Sequence, residues 1–468
     1  MGLIFNILHW LLIAFLIFVA IILLSLYIRG AFRWRPLFKI KRAIAPQSPH
    51  FLTAVKGITG SLETTGQVTD FWSTADDIQK ARLAAIGSAR HRILFETFMM
   101  TPGRRANDFA DAIAQKAIEG VEIQMLVDVW GARSLSDKYW QRLRSVGVQI
   151  AFFNPFDWRA PANFAGRTHR KLLVIDGDRA LVGGAGVSNL WDGTEKSDDK
   201  KSWLDIEAAF EGDIVHVLAA VFQSHWQGYR QQSKTGRNLT TDIDMGAIYP
   251  AVDNNPLTES EPRPVDSDRA QASEKASEKT SEKTAAMLVT LGTKPSYRDS
   301  SIETLKQTLI ACAKKRVWIS SPYLLPNHST RNLLITAQQS GVDVRILTTS
   351  TASDKKPVYY ASVEQYGSLL KAGIKILEYQ PSMLHAKMLI IDDDWANIGS
   401  ANFDYRSFLH NDELDIVTNS HKLIRQVEQV FESGFAQSEQ ICIQPWQQRS
   451  WLKYRVLGNL VRLIQWQL

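Results

Sequence analysis

The chain contains one eight-residue pattern twice, and this repeat constrains its fold more than any other feature. The pattern is His-x-Lys-x-x-x-x-Asp, and it occurs at His169–Asp176 and again at His385–Asp392. Each copy continues into a glycine turn, at Gly183–Gly184 and at Gly399–Ser400. A motif that recurs together with its flanking turn indicates an internal duplication. We therefore expect two related structural units.

The sequence around each copy alternates between strand and helix patterns. β-rich runs that predict strands lie at 93–98, 121–127, 148–153, 317–321, 342–347 and 374–377. Apolar residues at helical spacing, most of them ending at a glycine, lie at 109–118, 331–339 and 366–371. The same order of elements in both halves predicts a duplicated α/β fold, in which a mixed sheet is flanked by helices.

Composition marks the boundaries of the two units. Apolar residues become rare between the halves, where Ser-Glu-Lys recurs at 273, 277 and 281, so residues 241–286 are predicted to be a disordered linker. The first unit is then 46–240 and the second is 287–440. Residues 1–45 form a predicted anchor with a basic segment, and 441–468 form a basic amphipathic tail.

An uncharged run, Ile7–Ile28, opens the chain. As a helix it would extend about 33 Å, which matches a hydrocarbon core of about 30 Å. A cleaved signal peptide would need basic residues before this run, but the basic cluster follows it. A buried core helix is the alternative. We expect a single transmembrane helix, and the positive-inside rule then places the rest of the chain on the cytoplasmic side of the inner membrane.

The net charge of +6 is concentrated at the two ends of the chain. Residues 29–42 contain six basic and no acidic residues, and 446–468 contain four basic and no acidic residues. The rest of the chain is therefore acidic overall, which argues against a nucleic-acid partner. The aromatic and basic tail suits an interfacial helix on anionic lipid, or else a helix docked on the catalytic body. The partners expected are phospholipids and the bilayer, and the oligomeric state stays open.

The apolar run in each motif copy, 172–175 or 388–391, predicts a buried strand, and on a strand residues two apart share a face. His169 and Lys171 therefore point together, as do His385 and Lys387. Histidine attacks phosphorus or transfers a proton, while lysine neutralises phosphate oxygens, so two facing copies need no metal or cofactor. The motif aspartates, Asp176 and Asp392, lie seven positions after their histidines, so their side chains fall on the other face of the strand, and each begins a turn. We therefore expect these two members of the catalytic motif to be structural.

The second copy, His385–Asp392 followed after six residues by Gly399–Asn402, carries a family signature. With it the chain resembles the phospholipase D superfamily and, within it, the bacterial cardiolipin synthases, over roughly residues 70–440 without the linker. Further similarities lie at 95–97, 163–171 and 321–326. The resemblance implies two phospholipase D-like domains packed with pseudo-twofold symmetry, and substrate contacts from Ser400 and Asn402. The first copy departs from the pattern, because Gly186 stands where the family has Asn.

That departure leaves the substrate contacts of the first half open. Gly184 has only a backbone N–H to offer a phosphate, and Asn189, three positions after Gly186, is the candidate replacement. The resemblance also implies a carboxylate that orients each histidine. Glu413 is the candidate in the second half, and Asp205 is preferred to Glu207 in the first half.

The function that the resemblance implies is that of a phosphatidyltransferase acting through a phosphohistidine. Cardiolipin formation from two phosphatidylglycerols, with release of glycerol, is the leading version. Since the halves are pseudo-symmetric, the sequence does not distinguish the roles of the histidines, and we take His169 as the nucleophile and His385 as the acid and base. The alternatives are hydrolysis to phosphatidic acid, a membrane-tethered nuclease and a non-catalytic scaffold.

Overall fold

A computed structural model describes residues 2–31, 43–158, 164–193, 201–235, 284–292 and 300–463. Three sequence predictions fall mainly on other residues: the basic segment that follows the first helix, the linker at 241–283, and the last residues of the tail. Asn163, part of one family similarity, also lies outside the described ranges.

A single mixed sheet of fifteen strands forms the centre of the molecule. The strands of the first half are β1 (Leu62–Thr74), β2 (Arg92–Thr97), β3 (Glu122–Asp128), β4 (Gln149–Phe153), β5 (Leu172–Ile175), β6 (Arg179–Gly183) and β7 (Leu204–Glu211). Those of the second half are β8 (Ala285–Gly292), β9 (Arg316–Ser320), β10 (Asp343–Thr349), β11 (Lys375–Tyr379), β12 (Met388–Ile391), β13 (Trp395–Gly399), β14 (Glu413–Thr418) and β15 (Ser438–Gln440).

The structure describes helices that cover both faces of this sheet, together with an N-terminal helix that does not pack against it. They are α1 (Gly2–Ala31), α2 (Phe51–Thr59), α3 (Ala75–Ser88), α4 (Arg104–Ile118), α5 (Asp137–Ser145), α6 (Asp213–Thr235), α7 (Ser301–Cys312), α8 (His328–Gln339), α9 (Lys356–Lys371), α10 (Tyr405–Leu409), α11 (His421–Ala436), α12 (Ile443–Gln447) and α13 (Gly458–Leu463). A short 3₁₀ turn, Asn189–Asp192, follows β6, and a π-helical segment, Trp451–Leu457, precedes α13.

The strand order shows the duplication directly. The two halves meet at β1 and β8, and we call this junction the seam. From the seam outward, the first half has the strand order β1-β7-β6-β5-β2-β3-β4. The second half has the order β8-β14-β13-β12-β9-β10-β11, with β15 added at its outer edge. The strands β2, β3 and β4 are parallel to one another, as are β9, β10 and β11. Antiparallel pairing of β1 with β8 joins the halves. The predicted fold class, a duplicated mixed α/β architecture, is confirmed.

One apolar cluster runs through both halves and makes the seam a core. It contains Phe210 and Phe222 from the first half together with Met388 and Phe431 from the second, and all four are buried. Because apolar burial contributes roughly 25 cal/mol per Å² removed from water, separating the halves would expose a large hydrophobic surface. The two halves are therefore fixed relative to each other.

The structure moves three of the boundaries expected from sequence. The segment before β1 packs on the second half, since Phe51 and Val55 join the core of that half and Trp395 Nε1 donates to the carbonyl of Pro46 at 2.9 Å. Strand β8 begins at Ala285, inside the predicted linker. Helix α9 begins at Lys356, well before the expected start at 366, because its first turn also buries apolar side chains.

The two ends of the chain differ in how they meet the body. Helix α1 contains an apolar stretch, Phe5–Ser25, that is long enough to cross a membrane and is not buried against the rest of the protein. The tail is docked on α9: Trp446 Nε1 donates to the carbonyl of Val363 at 2.6 Å, and Arg449 pairs with Glu364 at 2.6 Å. The described part of the tail is therefore a docked element.

Candidate active site

The two motif histidines lie at the seam, each just before a short central strand. His169 precedes β5 and its N–H donates to the carbonyl of Asp412 at 2.8 Å. His385 precedes β12 and its N–H donates to the carbonyl of Leu204 at 2.7 Å. The backbone of the opposite half thus holds each histidine. The accepting residue, Asp412 or Leu204, directly precedes the predicted orienting carboxylate of its half, Glu413 or Asp205.

Each histidine is paired with a carboxylate from the other half of the molecule. His169 Nδ1 lies 3.0 Å from Glu413 Oε2, and His385 Nδ1 lies 2.7 Å from Asp205 Oδ2. The sequence predicted these two carboxylates but placed each within a half together with its own histidine, and that pairing is wrong. The backbone bridges just described bring β14 to His169 and β7 to His385, so the pairs cross the seam.

These contacts determine the tautomer of both imidazoles. His169 Nδ1 also lies 2.9 Å from the carbonyl oxygen of Ser400, so both of its neighbours are acceptors and Nδ1 must carry the proton. At His385 the Asp205 carboxylate, 2.7 Å from Nδ1, likewise requires a donor at that nitrogen, although Lys387 Nζ also lies 2.8 Å from it. Nε2 of each ring then has a lone pair that is available to attack phosphorus or to accept a proton.

Burial keeps the imidazoles neutral, while the neighbouring groups keep the carboxylates ionised. Burial lowers the pKa of His169 to about 3, against the opposing effect of Glu413, and it lowers the pKa of His385 to about 4. Burial alone would raise the pKa of Glu413 and of Asp205, but the facing imidazole and the nearby lysines hold both values well below the usual range. A phosphate anion entering the site would raise the imidazole pKa values, so one ring could then carry a proton.

The two lysines are buried beside the histidines. Lys171 Nζ donates to the carbonyl of His169 at 2.6 Å, and Lys387 Nζ lies 3.0 Å from His385 Nε2. Burial, with the like charge of Lys387 second, lowers the pKa of Lys171 to about 7, while burial lowers the pKa of Lys387 to about 8. Two crowded cations without a full set of anionic partners form a ready site for phosphate.

The motif aspartates lie at the far end of the central strands and fix a backbone turn. Asp176 accepts the backbone N–H groups of 90–92, each at 2.8 Å, and Asp392 accepts those of 314–316. Both adopt a left-handed conformation, with φ near +54° and +53°. Each ties the end of its motif strand to the start of the neighbouring antiparallel strand, β2 or β9, which is a structural position.

The two carboxylates are supported in different ways. In the second half Ser400 Oγ donates to Glu413 Oε2. In the first half Gly184 lacks that hydroxyl, and Trp191 Nε1 donates instead to Asp205 Oδ2 at 2.8 Å. Trp191 also packs edge-on against His385, with ring centroids 5.2 Å apart. The sequence analysis missed Trp191, and nothing in its spacing from the motif marked it.

The substrate contacts expected from Gly184 and Asn189 do not match the geometry. The N–H of Gly184 donates to the carbonyl of Ile206 at 3.0 Å, and a side chain at this position would collide with Asp205. Asn189 Oδ1 accepts the N–H of Arg105 at 3.0 Å, at the start of α4. Both groups are therefore engaged within the fold, and neither is among the residues that line the cleft described below.

The second half, by contrast, presents its motif amide to the site. Asn402 is buried, lines the cleft, and its Oδ1 has no hydrogen-bond partner among the described residues. At the matching Gly186, a Cβ would lie 2.7 Å from the carbonyl oxygen of Met99 and 3.1 Å from the Trp191 ring. The space used by Asn402 in one half is thus filled by Met99 and Trp191 in the other.

The acidic residues two positions after each orienting carboxylate have another task. Glu207 accepts from Arg82 Nε at 2.8 Å, and Arg82 also donates to the carbonyls of Ala185 and Gly186. Likewise, Asp415 lies 3.3 Å from Lys306, which donates to the carbonyl of Ala401. These ion pairs hold the glycine turns, and Asp205 rather than Glu207 contacts a histidine.

A third histidine, which the sequence analysis missed, lies behind His169. His225 of α6 has Nδ1 2.7 Å from Glu96 Oε1 and Nε2 2.8 Å from Asp412 Oδ2. Thr168 Oγ1 donates to the same Glu96 oxygen. Since both ring nitrogens face carboxylate oxygens, the ring must be an imidazolium. It joins the two halves next to the backbone that holds His169.

A cleft of about 450 Å³ opens from His169 to the surface. Its walls are aromatic and polar, and they consist of Phe98, Trp130, Phe164, Ala165, Arg167, Tyr323, Lys355, Asn402, Asp404, Arg406 and Asn411 besides His169. In the part of the chain that the structure describes, no three His, Cys, Asp or Glu side chains converge in an arrangement that could hold a metal ion.

Two histidines with crossed carboxylate partners, two lysines and a duplicated mixed sheet define a phospholipase D-type site. The family profile described as "Cardiolipin synthase, PLD-like domain" matches residues 83–226 and 307–434, one match in each half. The chain belongs to this family. It is a phospholipid synthase of the phospholipase D type, and the predicted phosphatidyltransferase class is confirmed.

Individual relatives agree with this assignment. The chain is 29% identical to cardiolipin synthase 1 of Bacillus anthracis over 91% of its own length and 77% of the relative's length. It is 30% identical to a cardiolipin synthase of Geobacillus kaustophilus over 81% of its length and 68% of the relative's. In structure it is similar to phosphatidylserine synthase of Haemophilus influenzae Rd KW20, with a TM-score of 0.63, 14% identity, and coverage of 89% of this chain and 99% of that one. This last likeness concerns the fold.

Proposed function

We propose that the protein is a membrane-anchored cardiolipin synthase that works through a phosphohistidine. The observation that carries the proposal is the pair of imidazoles, each with Nδ1 on a buried carboxylate of the other half and each accompanied by a buried lysine: Lys171 Nζ donates to the carbonyl of His169, and Lys387 Nζ lies 3.0 Å from His385 Nε2. One Nε2 attacks the phosphorus of phosphatidylglycerol, the bond from phosphorus to the glycerol oxygen breaks, and the other histidine donates the proton that glycerol takes away.

The second half of the reaction reverses these roles. The histidine that gave up its proton removes one from a hydroxyl of a second phosphatidylglycerol. The resulting oxygen attacks phosphorus, the phosphorus–nitrogen bond breaks, and cardiolipin forms. Lys171 and Lys387 neutralise the non-bridging oxygens in both steps. Asn402, with its unpartnered Oδ1 and its amide N–H₂, is placed to contribute a donor to the phosphate.

The setting of this chemistry is part of the proposal. Helix α1 would cross the inner membrane once, with the basic residues that follow it and the catalytic body on the cytoplasmic side. The docked tail leaves Trp451, Leu452 and Leu460 exposed beside basic residues, and these would meet the lipid surface.

The test is product analysis of the purified full chain in phosphatidylglycerol vesicles. We expect equimolar cardiolipin and glycerol, and no cardiolipin from the His169→Ala and His385→Ala variants. If phosphatidic acid is formed in place of cardiolipin at every lipid concentration, the protein is a hydrolase. If the wild-type chain and the His385→Ala variant both form no product, the scaffold interpretation is favoured.

A further inference from the structure

We propose that the cleft beside His169 binds a second phosphodiester anion, that of the phosphatidylglycerol which accepts the phosphatidyl group. This inference rests on the proposed function and names its acceptor site. It starts from a property of the reaction. The donor phosphate occupies the lysine pair, so the phosphate of an acceptor phosphatidylglycerol must approach to within the length of one glycerol. Two anions at that distance repel each other unless a cation lies between or beside them.

The cleft has the charge that such an approach needs. Three of its lining side chains are cationic, Arg167, Lys355 and Arg406, and one is a carboxylate, Asp404. Arg167 is already paired with Asp128 at 3.3 Å. Lys355 differs, because no carboxylate among the described residues lies within ion-pairing distance of its Nζ, which sits 4.9 Å from the centroid of the Tyr323 ring. Lys355 thus makes no ion pair within 4 Å among the described residues, and the charges of Asp354 and Asp404 act on it only from farther away.

The neighbouring groups give this cation a built surrounding. Arg406 is held in the wall by Asn411 Oδ1 at 3.1 Å and by the carbonyl of Ala165 at 2.8 Å. The Tyr323 hydroxyl is fixed by Asp354 at 2.6 Å. Asn402, assigned above to the donor phosphate, is buried and lines the same cleft, which places the two anion sites side by side. A lysine ammonium and a fixed guanidinium are the usual partners of a phosphodiester.

The aromatic lining residues suit the remainder of a lipid head group. Phe98 and Phe164 provide apolar surface, and Trp130, which is 48% exposed, has Arg133 stacked 4.1 Å over its ring. If water were the acceptor, as in hydrolysis, neither a cation nor aromatic surface would be needed to bind it. The composition of the cleft therefore fits an anionic lipid acceptor, and it explains how transfer would prevail over hydrolysis.

The experiment compares two fates of one intermediate. Full-length wild type, Lys355→Gln and the matched control Lys356→Gln are supplied with phosphatidylglycerol vesicles containing a fixed amount of butanol. Cardiolipin, phosphatidylbutanol and phosphatidic acid are then quantified together. Lys356 is adjacent and exposed, but its Nζ donates to the carbonyl of Thr351 and it does not line the cleft. Lys355→Arg restores the charge.

Loss of one charge-assisted contact should lower the ratio of cardiolipin to phosphatidylbutanol about tenfold in Lys355→Gln. The ratio should stay at the wild-type value in Lys356→Gln and recover in Lys355→Arg. A Lys355→Gln ratio equal to that of wild type overturns this inference and leaves the proposed function standing. A wild-type chain that forms none of the three products overturns the proposed function itself, so the two failures are distinguishable.

Discussion

His169 of the first half is oriented by Glu413 of the second half, with 3.0 Å between Nδ1 and Oε2. The reciprocal pair, His385 with Asp205, crosses the seam in the opposite direction at 2.7 Å. Neither half therefore contains a histidine together with the carboxylate that holds its tautomer. The catalytic pairs exist only where the two halves meet, which accounts for the continuous core beneath them.

Neutralising either carboxylate should slow catalysis without preventing folding. Glu413→Gln and Asp205→Asn keep the shape of the side chain but remove the charge that stabilises an imidazolium, and loss of a carboxylate that fixes the tautomer of a catalytic histidine can cost about 10⁴-fold in kcat. The measurement is kcat for cardiolipin synthesis. Asp178→Asn, at an exposed turn between β5 and β6, is the control. Wild-type kcat in both variants would remove the orienting role.

The covalent intermediate should be isolable on a histidine. Vesicles of phosphatidylglycerol labelled with ³²P are mixed with the full chain, the reaction is quenched in alkali within one turnover, and the labelled peptide is mapped. Phosphoramidates survive alkali, so the label should be retained. We expect it on the peptide that contains His169 and expect none in His169→Ala. Label on the His385 peptide would reverse the assigned roles.

Much of this site could be predicted from local sequence. The two motif strands were predicted at 172–175 and 388–391, because an unbroken apolar run between a polar motif and a turn has few other solutions. The structural position of Asp176 and Asp392 followed from strand parity. Glu413 and Asp205 were found as candidate residues. All of these inferences depend on contacts close in sequence or on period-two alternation.

The rest depends on which segments meet across the seam, and local patterns do not carry that information. The crossed pairing follows from the bridges between Thr168 and Asp412 and between Leu204 and Leu384, which link residues from opposite halves. Trp191 replaces the hydroxyl of Ser400 although it lies at a different position relative to its motif. His225 lies in the middle of an ordinary amphipathic helix, where nothing in the sequence distinguishes it from a surface histidine.

The buried lysines should give the reaction an alkaline limit. Burial depresses the pKa of Lys171 to about 7 and that of Lys387 to about 8, so both lose their charge as the pH rises through this window. The kcat/KM of the free enzyme should therefore fall above pH 7–8. A bound phosphate stabilises the ammonium, so the limb of kcat should lie at higher pH. Lys171→Arg keeps its charge at high pH, so the alkaline fall of its kcat/KM should shift to higher pH. If the fall occurs at the same pH as in wild type, Lys171 is not its origin.

Restoring the family's asparagine in the first half should not improve the enzyme. At Gly186 a Cβ would clash with the carbonyl oxygen of Met99 at 2.7 Å and press on the Trp191 ring at 3.1 Å, so Gly186→Asn should disturb the tryptophan that supports Asp205. We expect at least a tenfold loss of kcat, through disturbance of His385. A gain of activity in Gly186→Asn would show that this space accepts a second hydrogen-bond donor to the phosphate.

Asn402→Ala, in the second half, should lower kcat by removing a phosphate contact while leaving the thermal midpoint within a few degrees of the wild-type value.

The buried His225 should make stability depend on pH in both directions. Burial opposes its charge, yet Glu96 and Asp412 raise the pKa of His225 above 6.5, so its stabilising contribution is complete below pH 6.5 and is lost as the pH rises through the folded-state pKa. Although burial alone would raise it, the pKa of Glu96 is lowered below 4.5, chiefly by His225. The stability contributed by ionised Glu96 is present above pH 4.5 and is lost as the pH falls through the folded-state pKa of Glu96.

His225→Gln should remove the part of the pH dependence that comes from titration of His225, and it should destabilise the seam because it leaves two buried carboxylates without their shared cation. Breaking a buried pair in this way costs roughly 3–5 kcal/mol. The measurement is the thermal midpoint of the full chain between pH 4 and pH 9. His421→Gln, at an exposed helix start, should keep the wild-type profile. Since His225 joins Glu96 to Asp412, whose carbonyl holds His169, kcat should fall together with the midpoint. A His225→Gln profile parallel to that of wild type would show that the ring is not the titrating link between the halves.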